Sequence, residues 1–489
     1  MVKKIYIRGL LSATLIMTGA CTDDLINLVS ESTLTTTSFF NTSKDMDLAV
    51  LGIYSNYQSQ IQYYQLMELP GDNVYLGKWQ TSPPLNELEN LTVTSTNSTI
   101  TSFWQGSYNG IFRSNSVLYN IDNPGDYKAS EKDQFTGEAK FMRALNYFNL
   151  VRLFGGLPLV TTLLSIEESK KVPRATEDEV YTLIIEDLKD AISKLPLQAN
   201  IARGRASKAA AVALLGKVYV YRKDWNNART YLEQLFSEFS YSLFSDFSKV
   251  IKTENNSELI FVMKFIESTN GQSLTDNYTP FTGIYGGATA GGNLNPCWGL
   301  HKLFQAGDKR KAGTITEMWK AYKAGAGDPE VWAPYVNKYL VTHTYSVGCG
   351  LDLPVIRLAD MILLYAETLY ELGQTDPALI QLNKIRERAF GDSSHNYTLA
   401  DIPDKTAFTD TLFLERRLEL AFENERWFDL VRSGKYMTSM ANDETYYNDA
   451  TQTPTVVTRT MKAYMKYFPI PLSEIELSDP GVLLQNEGY

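Results

Sequence analysis

The sequence predicts a mostly α-helical protein. Its scaffold is a helical repeat of the tetratricopeptide (TPR) type, and a loop-rich irregular region is set upon it. Three observations lead there. Apolar residues recur at helical spacing over residues 39–240 and again over 353–433. Two stretches, 207–238 and 358–389, share a helix–turn–helix layout with small residues in the same places. Between the two scaffold regions, residues 240–352 lose that period and gain glycine and aromatic side chains. Residues 434–489 read as an extended C-terminal segment with prolines, and residues 21–489 read as a single domain.

The elements follow in chain order. From Asp45 to Gln62, residues Met46, Ala49, Val50, Ile53 and Tyr57 fall on one helical face. Residues 65–100 gain Pro, Gly, Asn, Ser and Thr and read as a long loop. Helical spacing returns at 101–121. The next helix opens at Ser130, with Asp133 three residues on, which is an N-cap signature. In it Phe141, Ala144, Leu145, Phe148 and Val151 make one stripe, and Tyr147, Leu150 and Phe154 a second. Such a helix is buried on two sides. Gly155, Gly156 and Pro158 stop it. Thr176 with Glu179 forms a capping box for a helix over 176–194.

The first helix pair then carries Ala209, Ala210, Ala211, Ala213 and Gly216, small enough for a neighbouring helix to approach closely. Its turn is Lys223-Asp224-Trp225, and Ala228 and Leu232 begin the partner's face. The second pair repeats the layout with Ala366, Gly373, a turn at Asp376-Pro377, then Ala378 and Leu382. Residues 411–433, LFLERRLELAFENERWFDLVR with its flank, read as one charged helix.

Composition closes several routes. Charge is −10, from 46 basic and 56 acidic residues, which argues against nucleic acid as a partner. Three cysteines in 489 residues make no disulfide framework. His301 and His343 stand near Cys297 and Cys349, but Cys-x3-His and His-x5-Cys match no common zinc motif, so no metal and no cofactor are expected. Neither a nucleophile elbow nor a Walker loop is present. Glu415, Glu419, Glu423 and Glu425 lie close enough in sequence to suggest a glycosidase pair. Arg416, Arg417, Arg426 and Arg432 are mixed among them, so a salt-bridge lattice is the simpler reading and no catalysis is expected.

The N-terminus is an address. Lys3, Lys4 and Arg8 precede a short apolar run, and residues 1–20 have the form of a secretory signal. Gly19 and Ala20 before Cys21 resemble a bacterial lipobox, with Thr18 where leucine is usual. Cys21 would then be diacylated; the alternative is plain secretion. No later segment is long and apolar enough to cross a bilayer.

Seven segments then fall into the order of a known family. They are FFNTSKDMDLAVLGIY (39–54), GEAKFMRALNYFNLVRLFGGLPLV (137–160), GRASKAAAVALLGKVYVY (204–221) and LPVIRLADMILLYAE (353–367), followed by LNKIRERAF (382–390), ERRLELAFENERWFDLVR (415–432) and YFPIPLSEIEL (467–477). With them the chain resembles the SusD/RagB family of Bacteroidetes outer-membrane lipoproteins. Asp23-Asp24 after Cys21 looks like that family's surface-export signal. The resemblance implies about four TPR-like helix pairs, a surface-exposed, lipid-anchored binder of oligo- or polysaccharide, and a SusC-type TonB-dependent transporter as partner. A peptide-binding lid of the RagB type is the alternative.

The family places ligand contacts by region, in the loop after the first helix and in the irregular middle. Sugar rings stack on Trp and Tyr while their hydroxyls bond to amides and carboxylates. In those regions Asp72, Asn73, Tyr75, Lys78, Trp79 and Gln80 form one candidate cluster. Tyr285, Asn293, Asn295 and Trp298 form a second, and Trp332 with Tyr335 a third.

Overall fold

A computed structural model describes residues 39–77, 80–279, 293–317, 334–344, 348–440, 442–448 and 453–489. The signal segment, Cys21, Asp23, Asp24, Lys78, Trp79, Tyr285 and Trp332 lie outside the described residues.

The first helix, α1 (Ser43–Ile61), is started by Thr42: its hydroxyl accepts the Asp45 N–H at 3.1 Å, and the Asp45 carboxylate accepts the Thr42 N–H at 3.0 Å. Met46, Val50, Ile53 and Tyr57 are buried as their spacing predicts. The stretch expected to be a loop holds three short elements: α2 (Tyr64–Glu68), β1 (Val74–Leu76) and α3 (Pro83–Asn90). Pro83 and Pro84, read from sequence as breakers, stand at the first helical positions of α3, where a missing N–H costs nothing.

Asn97 then caps α4 (Ser98–Asn120), and α5 (Glu131–Phe154) follows. Every residue of α5 from Phe141 to Phe154 is buried, Arg143, Asn146, Asn149 and Arg152 included. Its fully buried apolar side chains each contribute about 1.5–3 kcal/mol by leaving water. Among the polar ones, Arg143 donates to both carboxylate oxygens of Asp187 at 2.7 Å. The expected Ser130 cap is corrected: Ser130 has φ +70° and makes no capping bond. The Glu131 carboxylate beside it accepts the Lys128 N–H at 2.8 Å and the Ser43 hydroxyl at 2.7 Å. Gly155, at φ +74°, ends the helix.

Next come α6 (Ile166–Ser169), α7 (Glu177–Lys194) with its Thr176–Glu179 capping box, α8 (Lys208–Tyr221) and α9 (Trp225–Glu238). A Cβ on Gly216 would stand 3.0 Å from Leu232, so the small residue does allow the close approach of α9. The middle region carries β2 (Leu259–Met263), α10 (Leu274–Tyr278), β3 (Leu294–Pro296), α11 (Trp298–His301), α12 (Arg310–Thr314), β4 (Ile315–Thr316) and β5 (Tyr335–Val336). Then β6 (Leu353–Arg357) leads into α13 (Leu358–Glu371) and α14 (Thr375–Phe390). Helices pack as α1 with α4, α5 with α7, α8 with α9 and α13 with α14, and successive pairs stack on one another.

The charged stretch 411–433 is not one helix. It divides into α15 (Lys405–Glu419) and α16 (Arg426–Ser433), with Phe422 and Asn424 at φ +68° and +65° between them. Tertiary partners take over the broken end. Lys338 donates to the Glu419 and Ala421 carbonyls at 3.0 and 2.9 Å, and Glu68 accepts the Asn424 N–H at 2.6 Å. The C-terminal segment, expected to be extended, contains α17 (Tyr436–Ser439), a hairpin of β7 (Asn442–Asn448) with β8 (Thr453–Thr458), and α18 (Leu472–Leu477). The strands of the described residues form four antiparallel pairs: β1–β3, β2–β6, β4–β5 and β7–β8. No helix among the described residues is long and apolar enough to cross a membrane.

Candidate functional site

The β1–β3 pair joins the loop after the first helices to the irregular middle, the two regions singled out from sequence. Its register sets Tyr75 opposite Asn295, with Val74 against Pro296 and Leu76 against Leu294. The ladder continues at both ends. Cys297 N–H donates to the Asn73 carbonyl and Gly77 N–H to the Asn293 carbonyl, each at 2.8 Å. Glu89 of α3 accepts the Leu76 N–H at 2.8 Å and closes one strand edge. Tyr75 is half-buried, and burial raises its hydroxyl pKa while a hydrogen bond from Asn295 opposes the rise.

Helix α11 starts directly after β3, so Trp298 stands two residues beyond the strand. Its ring stacks on His301, with centroids 4.8 Å apart and planes at 23°. The imidazole is braced from behind by Glu317 at 3.1 Å, itself paired with Lys311 at 2.7 Å. Burial lowers the His301 pKa below its ordinary value, and the hydrogen bond with Glu317 opposes that. Strand β7 packs beside α11 and β1. Its Tyr446, 45% exposed, lies 6.0 Å from the Tyr75 ring. Lys302 at the end of α11 reaches Glu444 of β7 at 2.6 Å. Tyr335, on β5, joins the same layer because β5 packs beside β3.

Tyr75, Asn295, Trp298 and Tyr446 are thus gathered on one layer. Asp72 and Asn73 lie beneath it. The Asp72 carboxylate is paired with Arg426 at 2.6 and 2.8 Å and with Arg417 at 3.1 Å. Burial alone would raise its pKa, but the two guanidinium groups hold it well below the usual carboxylate range. Asn73 is fully buried and accepts from Arg417 at 2.9 Å. These two residues brace the strand from below. Asn293 is likewise committed, to Asn277. Tyr446 was missed from sequence because its segment shows no glycine-rich or helical signal. The only clue was its place in a run of two tyrosines, Tyr446-Tyr447.

The carboxylates of α15 and the following loop are lattice members. Arg357 holds Glu258 at 2.6 Å, Glu419 at 2.7 Å and Glu423 at 2.6 Å. Arg310 holds Asp308 at 2.7 Å and Glu415 at 2.8 Å. Glu415 and Glu419 are fully buried. Burial would raise the Glu419 pKa; Arg388, Arg357 and Arg310 outweigh it and keep the group ionised. A carboxylate so enclosed cannot give up or take a proton near neutral pH. Cys297 and Cys349 are separate buried free thiols. Among the described residues no cluster of His, Cys, Asp and Glu is arranged to hold a metal ion.

Comparison with known proteins agrees with the architecture. The model of the SusD family matches residues 333–489. A second, described as starch-binding and associating with the outer membrane, matches residues 27–220. The chain belongs to the SusD/RagB family. It is 26% identical to a SusD-like protein of Formosa agariphila, with 92% of this chain and 93% of that one covered. Among solved structures it is similar to a laminarin-binding SusD-like protein: 26% identity, TM-score 0.75, 92% of this chain and 100% of the other. A SusD-like protein from Bacteroides fragilis shares the fold at 22% identity, with TM-score 0.78 and coverage of 93% and 99%.

Proposed function

We propose that this chain is a non-catalytic glycan-binding subunit of an outer-membrane import complex, and that the layer of β1, β3, α11 and β7 is its binding surface. The observation that carries the reading is the convergence of Tyr75, Asn295, Trp298 and Tyr446 from three separate parts of the chain. Two rings offer stacking faces, and amide and phenol groups between them offer donors and acceptors for sugar hydroxyls. Trp79, Tyr285 and Trp332 are kept as candidate ligand contacts in the proposal, because each belongs to one of the three clusters named from sequence. The similarity to a laminarin-binding protein supports a glucan as the first ligand to try.

Anchoring is proposed through acylated Cys21, on the cell surface. The delivery partner is proposed to be a SusC-type TonB-dependent barrel. An exposed, wet site of this kind binds with modest affinity. The test uses soluble residues 22–489 in affinity electrophoresis and calorimetry against plant, host and microbial polysaccharides, laminarin and starch among them, with peptides in parallel. One glycan class should bind, and Trp298→Ala or Tyr446→Ala should weaken it about tenfold. Binding to peptides alone would replace this reading with the peptide-capturing one. Hydrolysis of a bound glycan would overturn the non-catalytic part.

A further inference from the structure

A second carboxylate lies under the layer, beside Asp72, and two partners share one of its oxygens. Asp443, near the start of β7, is 4% exposed. Its Oδ2 accepts from the Cys297 thiol at 3.6 Å, at the junction of β3 and α11. The same oxygen faces Arg459 Nη1 at 3.5 Å, just beyond β8. Arg459 in turn donates through Nε to the Glu89 carbonyl of α3 at 2.8 Å. A Cβ placed on Gly299 would stand 3.7 Å from Asp443 Oδ1, so α11 lies against the strand at this point.

Asp443 is the loosely held member of its cluster. Asp72 takes both Arg417 and Arg426 at short range, whereas Asp443 keeps one guanidinium and one thiol at long range. Burial and the Asp72 charge push its pKa up to about 6, against the pull of Arg417 and Arg459. Of the other charged groups around the layer, Lys302 is paired with Glu444, and His301 and Lys311 with Glu317. Glu89 of α3, which accepts the Leu76 N–H, also has its pKa raised by burial, opposed by that hydrogen bond and by Arg459, so the Asp443→Asn protein is what separates the two carboxylates.

We infer that Asp443 is a positioning residue for the binding layer: its charged carboxylate, shared between Cys297 and Arg459, fixes the strand that carries Tyr446 against the helix that carries Trp298. When the charge is lost, the two aromatic groups are no longer held in register and ligand binding weakens. The ligand part of this inference rests on the glycan reading above; the coupling of the two groups does not.

The experiment uses residues 22–489 labelled with 5-fluorotryptophan and followed by fluorine NMR between pH 4.5 and 8, with the Trp298 signal assigned by Trp298→Phe. His301→Gln serves as the background, so that the imidazole beneath Trp298 does not titrate. The expected result is a Trp298 shift with a midpoint near 6, absent in Asp443→Asn. Cys297→Ala, which removes a hydrogen bond to the charged form, should move the midpoint upward. Affinity for laminarin, or for the panel glycan that binds in its place, should fall about fivefold or more from pH 7.5 to 5 in the background protein, and be weak and flat in Asp443→Asn. A midpoint that persists in Asp443→Asn, or that Cys297→Ala leaves in place, overturns the inference. A Trp298 step with no glycan bound at any pH would sink the glycan reading and leave the coupling standing.

Discussion

Replacing Glu419 by glutamine removes one charge from the buried lattice and almost no volume. Five carboxylates (Asp308, Glu258, Glu415, Glu419 and Glu423) are there interleaved with five cations (Arg310, Arg357, Arg386, Arg388 and Lys338). Glu419 accepts from Arg357 at 2.7 Å and from Arg388, and Arg310 stands 3.7 Å away. Glu419 and these three arginines are at most 5% exposed, so water cannot compensate the guanidinium charge left behind. Breaking a buried pair from one side costs about 3–5 kcal/mol, against about 0–1 kcal/mol at the surface. With unfolding entropy near 2.1 cal/mol/K per residue, a chain of this length loses roughly 1 °C of Tm per kcal/mol. Thermal unfolding followed by circular dichroism should therefore show Glu419→Gln melting about 3–5 °C below wild type at pH 7. The folded-state pKa is depressed. The stabilisation is thus present above the ordinary glutamate value and is lost as pH falls through the folded-state value, so the two proteins should converge in acid. A shift under about 1 °C at pH 7 would refute the lattice argument. A hydrolytic activity that disappears in Glu419→Gln would return this carboxylate to catalysis.

Two further outcomes are expected. Glu68 is fully buried, and burial pushes its pKa up to about 8, opposed by the Asn424 N–H and Lys338. A carboxyl raised on folding costs stability increasingly from its unfolded value near 4 up to the folded value, and fully above it. Glu68→Gln should therefore stabilise the protein by a few kcal/mol at pH 8–9 and by little at pH 4, as read by denaturant unfolding; an equal effect at both pH values would contradict the burial argument. Separately, Cys297 and Cys349 are buried to 0% and 1% exposure. Residues 22–489 should show no thiol reactive to Ellman's reagent when folded and two when unfolded. Prompt labelling of the native protein would mean that one of these sites opens.

Much of the scaffold was legible because each local signal has a local cause. The two stripes, one through Phe141 and Phe148 and one through Tyr147 and Phe154, predicted a helix buried on two sides, since no other packing removes two apolar faces from water. Thr176 with Glu179 predicted a helix start because both partners of the capping box lie within one turn. Gly216 predicted close helix packing, and Leu232 fills the space a side chain would need. Ser130 failed for the converse reason: it stands at φ +70°, not in the extended backbone an N-cap needs, next to Glu131, whose carboxylate is held by the Lys128 N–H and by Ser43, far away in the chain. Pro83 and Pro84 misled because a proline looks alike in sequence whether it breaks a helix or begins one.

For the site, the sequence by itself determined the chemistry on offer: aromatic rings and amides concentrated in the two irregular regions, and acidic and basic residues alternating through 415–432. Only the tertiary structure decided which of them meet. Tyr75 faces Asn295 because a register of backbone hydrogen bonds sets them opposite, and hydrogen bonds of that kind carry no side-chain signature. Asp72, which reads like a ligand contact, goes beneath the strand because Arg417 and Arg426 arrive there from more than 340 positions away. The helix expected across 411–433 breaks at Phe422 because Lys338 and Glu68 satisfy the freed backbone groups. Short-range signals are written by propensity and periodicity, which act over a few residues. The pairing of strands, and the side of a strand on which a buried charge finds its partner, depend on groups that the chain brings together only when it has folded.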